Sequence, residues 1–115
     1  MDEMTKWVVK FVEERDWVQF HNPKDLAISL TLESSEVMEH FQWKSPEEIQ
    51  KHLKQNKHEI AEELADVLYW VLLMGHYFSI DLKQSFEAKM KQNERKYPVD
   101  KARGRHDKYT AYQQK

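Results

Sequence analysis

Cysteine is absent from this 115-residue chain, so neither a disulfide framework nor a thiolate metal site is available. That fits a reducing compartment. Glycine and proline are scarce, at two and three residues, and strand-type alternation is rare. Together they argue against a turn-rich β architecture and predict an all-α protein. Neither charge sign dominates: 18 Lys and Arg face 20 Asp and Glu, a net charge of −2. A dedicated nucleic-acid binder would be clearly basic. Met1 opens an acidic, polar stretch rather than a basic n-region with an apolar h-region, so no signal peptide is expected. The longest near-apolar run, Val67 to Phe78, contains Gly75 and His76 and is too short to span a bilayer. These absences predict a soluble, cytoplasmic protein with no nucleic-acid or membrane partner. Its length fits one domain, residues 1–115, near the size at which oligomerisation helps stability.

What the chain has is helix punctuation. Met4, Trp7, Val8, Phe11 and Val12 form one apolar face of a first helix over about residues 3–15. Asp16 to Asn22 reads as a loop carrying Trp17, Phe20 and His21. Asn22-Pro23 is a helix start, with Asn as N-cap and Pro at the first helical position. The helix it opens is expected to reach Trp43. Ser45 and Glu48 fit a capping box for a short helix to Leu53, and Lys54–Lys57 reads as a break. A third long helix is expected over His58–Phe78 and a fourth from Asp81 to just before Pro98. Residues 98–115 read as an irregular tail. The expected product is a four-helix bundle. From Val67 to Phe78 the third long helix is apolar on nearly every face. Such a helix is buried by more than its own bundle, which predicts a subunit interface, a homodimer or a homotetramer.

The informative residues are two acid pairs, Glu33-Ser34-Ser35-Glu36 and Glu63-Leu64-Ala65-Asp66. Spacing of i,i+3 sets each pair on one helix face, and each borders an apolar stripe. Glu39 and Glu62 point away from these stripes. An acid pair of this kind is also what the solvated rim of an amphipathic helix looks like. Two pairs beside the core are harder to explain, since one like-charge contact costs about 4 kcal/mol at 4 Å and an effective dielectric near 20. A hard divalent cation, Mg²⁺ or Mn²⁺, is the simplest neutralising partner for carboxylates. Rival metal motifs are missing: no acid is followed by His at i+3, no His-x-x-x-His occurs, and no EF-hand loop is present.

Glu-x-x-Glu followed after a gap by Glu-x-x-Asp resembles the signature of the MazG-like all-α nucleoside triphosphate pyrophosphohydrolases. Arg15-Asp16-Trp17, Phe20-His21, Phe41-Gln42-Trp43, Asn93 and Tyr97-Pro98 resemble the dCTP pyrophosphatase branch of that family. The resemblance runs from about residue 10 to residue 105. It implies a helical bundle that converts a nucleoside triphosphate, dCTP or a modified cytosine deoxynucleotide, to monophosphate and pyrophosphate for nucleotide-pool house-cleaning. It further implies that Glu33, Glu36, Glu63 and Asp66 hold Mg²⁺ or Mn²⁺, with Glu36 and Glu63 catalytic and Glu36 orienting or deprotonating the attacking water. Asn93 resembles the base-reading position and Lys89, one turn earlier, a phosphate-binding one. Lys101 and Arg103 would close over the triphosphate.

Trp17 and Trp43 are the expected walls of the base site, since base stacking on an aromatic is worth about 1–3 kcal/mol. His21 is a further candidate for base or phosphate. Trp7 and Trp70 are assigned to the core or the subunit interface. Ser34 and Ser35 stand where members of the family often carry Gly, and Trp70 where a smaller aromatic is expected. Two other classes compete with the enzyme reading: a non-catalytic helical module that senses nucleotides or bridges proteins, and a bundle that stores divalent metal.

Overall fold

The structure, a computed structural model, describes residues 2–105. Six α-helices are present among them: α1 (Asp2–Glu14), α2 (Pro23–Glu39), α3 (Pro46–Gln55), α4 (Lys57–Tyr77), α5 (Leu82–Lys96) and α6 (Val99–Ala102). A single 3₁₀ turn, Val18–Phe20, lies between α1 and α2. No strand occurs among the described residues.

Side-chain caps set the helix starts. Asn22 accepts from the Asp25 N–H at 2.9 Å, with Pro23 in the first turn of α2. Ser45 and Glu48 complete a reciprocal capping box at α3, at 3.2 and 2.9 Å. Hydrogen bonding by the Ser45 backbone N–H, and by its side chain, lowers the Glu48 carboxyl from its ordinary value. Asp81 caps α5 through the Gln84 N–H at 3.0 Å. Each cap satisfies an amide that the first helical turn leaves without an internal partner.

Helix ends depart further from the sequence reading. α2 stops at Glu39, and residues 40–43 turn out of the helix instead of continuing it. The Phe41 and Gln42 amides both donate to the Met38 carbonyl, and Trp43 takes φ 69°. A left-handed residue cannot continue a right-handed helix. The expected break at 54–57 shrinks to Asn56, which separates α3 from α4. In the expected irregular tail, residues 99–102 form one helical turn because the Pro98 carbonyl accepts from both Lys101 and Ala102 N–H. Residues 106–115 of that tail lie outside the described residues.

The chain divides after Ser79 into two compact units. In the first, α4 packs against α1, α2 and α3. Its centre is Val12 of α1, Leu26 of α2 and Leu73 of α4, with Phe11, Tyr69 and Trp70 packed around them. The second unit contains α5 and α6. Among the described residues no helix is long and apolar enough to cross a membrane.

Candidate active site

Packing α2 against α4 brings the acid pairs together. Glu33 and Glu63 are half-buried, while Glu36 and Asp66 are exposed. Burial pushes the Glu33 carboxyl above its ordinary range, and the Glu36 carboxyl adds to this by charge and by a shared hydrogen bond. The Asp66 and Glu63 charges raise it further. Three acids, one on α2 and two on α4, therefore act on Glu33. Glu33 Oε2 is buried without a hydrogen-bond partner, an uncommon and unfavourable state for a carboxylate oxygen. Glu39 and Glu62 face solvent, and Glu62 pairs with His58 at 2.6 Å.

A hard cation fits this donor set. All four candidate ligands offer oxygen, and the orphaned Glu33 oxygen lacks only a positive partner. Among the described residues no group of three or more acidic or histidine side chains is placed to hold a metal ion by itself. Magnesium does not ask for such a group: it is commonly held by one or two carboxylates, with water and substrate phosphate completing its shell.

Beside the acids lies a cavity of about 650 Å³, within the roughly 300–1,000 Å³ of small-molecule sites. Trp7, Phe11, Trp17, Tyr69 and Trp70 line it, and Glu33 and Asp66 share its wall. The local chain geometry explains how Trp17 arrives there. α1 ends with Asp16 in the left-handed region, φ 54°. The Trp17 N–H then donates to the Val12 carbonyl at 3.1 Å, and the Asp16 N–H to Glu13 at 3.0 Å. This is a Schellman end, and its usual apolar contact is the Trp17 ring edge-on to Phe11 at 5.5 Å. The motif clips Trp17 back over the last turn of α1.

Other expected residues fall elsewhere. His21 does not line the cavity. Its Nδ1 lies 3.1 Å from the Tyr77 hydroxyl and its ring stands edge-on to Trp70, so it ties the 3₁₀ segment to α4. Burial lowers its pKa. Trp43 is 92% exposed and does not share the cavity with Trp17. Trp7, assigned above to core or interface, is 77% exposed at the cavity wall. It lies on the solvent side of α1, where Val12 takes the core position. Lys89 and Asn93 sit on α5 and Lys101 and Arg103 at α6, all in the second unit. There Lys89 Nζ donates to Gln92 Oε1 at 3.1 Å.

Sequence reasoning missed a polar chain behind Glu63. His40 Nε2 and Glu63 Oε2 are in ion-pair contact, and neither atom has a hydrogen-bond partner. His40 Nδ1 lies 2.7 Å from His52 Nε2, and Asn56 Nδ2 lies 3.0 Å from His52 Nδ1. A signal was available: His40 is two helical turns beyond Glu33, on the same face. Tyr69, one turn beyond Asp66, was legible in the same way.

Fold and site together define an all-α protein in which two packed helices present paired carboxylates beside an aromatic cavity. The chain belongs to the MazG-like family, whose pattern it matches over residues 28–111. It is 37% identical to dCTP pyrophosphatase 1 of Bos taurus and 35% identical to dCTP pyrophosphatase 1 of Homo sapiens. Each match covers 96% of this chain and 66% of the relative. The chain thus spans about two thirds of the length of the curated relatives it matches. A crystal structure of a pyrophosphatase from Archaeoglobus fulgidus superimposes with a TM-score of 0.80 at 38% identity, over 85% of this chain and 92% of that one. The all-α expectation and the family resemblance are both borne out.

Proposed function

We propose that this protein is a Mg²⁺-dependent nucleoside triphosphate pyrophosphohydrolase, with Mn²⁺ able to substitute. It takes dCTP or a modified cytosine deoxynucleotide to the monophosphate and pyrophosphate, as a cytoplasmic house-cleaning activity on the nucleotide pool. One observation carries the reading: Glu33 and Asp66 stand in the wall of the same cavity as Trp17 and four other aromatic side chains. A base and a metal-bound triphosphate need those two environments side by side. The dCTP pyrophosphatase relatives support the substrate class, and the orphaned oxygen of Glu33 supports the cation.

Bound Mg²⁺ would polarise the phosphate oxygens and neutralise charge as the α–β bond breaks. The residues of the chain do the rest. Glu33, Glu36, Glu63 and Asp66 would hold the ion together with water and substrate phosphate. Glu36, exposed beside the half-buried Glu33, orients the attacking water and takes its proton, and Glu63 serves with it as the second catalytic carboxylate. Trp17 stacks on the base and Asn93 reads its edge, an amide offering both a donor and an acceptor. Lys89, Lys101 and Arg103 contact phosphate, and His21 braces the loop carrying Trp17.

The working form is a homodimer or homotetramer. The exposed pairs Ile28 and Leu32 on α2 and Leu64 and Leu68 on α4 support a covered face, as does Trp43, which finds no burial within one chain. The family match crosses Ser79, which supports a single functional domain over residues 1–115.

Pyrophosphate release from a panel of dNTPs and NTPs, with Mg²⁺ and with EDTA, tests the reading. Metal-dependent release strongest with cytosine deoxynucleotides is the expected result. Glu36→Gln and Asp66→Asn should each abolish turnover with helicity by circular dichroism unchanged, and full activity in either would refute the metal assignment. Nucleotide binding without release from any substrate would identify a non-catalytic module.

A further inference from the structure

Three residues outside the acid cluster form an ordered chain that ends on it. Asn56 separates α3 from α4, His52 lies in the last turn of α3, His40 caps the end of α2, and Glu63 is on α4. The direction of the hydrogen bonds follows from the chemistry of each atom. Asn56 Nδ2 lies 3.2 Å from the His52 backbone carbonyl as well as 3.0 Å from His52 Nδ1. A carbonyl only accepts, so this end of the Asn56 amide is the NH₂ group and its two protons serve these two acceptors. His52 Nδ1 therefore carries no proton, and the neutral ring keeps its proton on Nε2. Burial and the nearby Lys44 ammonium favour the neutral form of His52. Nε2–H points at His40 Nδ1, 2.7 Å away. That in turn leaves the His40 proton on Nε2, the atom in ion-pair contact with Glu63 Oε2.

We propose that the Asn56–His52–His40 chain is a positioning device for the reaction, which holds the Glu63 carboxylate in the orientation that receives the divalent ion. The inference rests on the metal reading above and names residues which that reading does not use. Its physical basis is burial joined to directionality. The side chains of His40 and Glu63 are 11% and 25% exposed, so water competes weakly for the contact. A single sense of donation runs from Asn56 to His40, whose Nε2 is in ion-pair contact with Glu63. One carboxylate oxygen is engaged by His40 and the other is left to the ion. A carboxylate fixed in this way does not have to give up its rotamer freedom when the ion binds. Outer hydrogen-bond partners of this kind typically change metal affinity by about 10–100-fold. The chain also gives α3 a role in the site.

Two measurements test the proposal. Long-range ¹H–¹⁵N correlation spectra of the metal-free wild-type protein should show the Nε2–H tautomer at both His40 and His52. An Nδ1–H tautomer at either ring would overturn the proposal without any mutation. Mn²⁺ binding, followed by calorimetry or by the electron paramagnetic signal of the free ion, supplies the second readout. His52→Leu should weaken binding about tenfold or more. His52→Gln, whose amide can accept from Asn56 and donate to His40, should restore it to within about threefold of wild type. Rescue of that kind would not arise from a purely packing role for His52. Glu63→Gln separates the two ideas. If Glu63→Gln loses Mn²⁺ binding while His52→Leu keeps it, the positioning role fails and the metal reading stands. If Glu63→Gln binds Mn²⁺ as wild type does, the metal assignment of Glu63 fails and the positioning role fails with it.

Discussion

Trp43 pays a local cost that nothing within one chain offsets. It holds φ 69° and is 92% exposed, whereas a side chain in the left-handed region costs about 1–2 kcal/mol. Residues kept in such conformations cluster at functional sites, which supports a role for this ring against substrate or a second subunit. Trp43→Gly should therefore raise stability in urea unfolding by about 1 kcal/mol while lowering pyrophosphate release. Undiminished release would remove Trp43 from the site. His21 shows the opposite balance. Burial holds its imidazole below the ordinary value of 6.5, so between the lowered value and 6.5 the unfolded chain binds more protons than the folded one. Stability must then fall as the pH drops through that window. Thermal unfolding of the wild type from neutral pH downward should show this fall, and His21→Gln should flatten it.

At the scale of elements, helix starts and helix ends obey different physics. A start is a local contract between one side chain and an amide two or three residues on, and Asn22, Ser45 and Asp81 each honour it. Ser45→Ala removes the hydroxyl half of the box at α3, the acceptor for the Glu48 N–H, and should cost about 1 kcal/mol in denaturant unfolding. The ends had no Gly to mark them. Asp16, Trp43 and Ser79 take positive φ instead, a conformation that non-glycine residues do not announce in the sequence. That is why α2 reads four residues too long in the sequence. Asn56 breaks α3 from α4 in a single residue, since its amide serves the His52 carbonyl and ring together, a device invisible in a polar tetrapeptide.

For the whole molecule, the small centre of Val12, Leu26 and Leu73 contrasts with the apolar side chains left in solvent on α2 and α4. Leu32 and Leu64 are both more than half exposed, a surface that oligomers commonly cover. Light scattering after size exclusion should report a dimer or tetramer for the wild type and a smaller species for Leu32→Glu, with helicity retained. A monomeric wild type would discard the oligomer and leave Trp43 without a partner surface.

By itself the sequence determined the helical class, the helix starts, the pairing of Glu33 with Glu36 and of Glu63 with Asp66 on single faces, and the family. All of these depend on spacing within a few residues and on composition, which the linear order contains in full. Tertiary structure alone decided which aromatic rings share a wall with the acids. Trp7 and Tyr69 join Trp17 there and Trp43 does not, because the packing of α1 and α2 on α4, rather than the spacing along any one of them, selects the faces that meet. It alone also linked Asn56, His52 and His40 to Glu63. Those contacts join residues from three separate stretches of chain, and the links from His52 to His40 and from His40 to Glu63 exist only once the helices have docked.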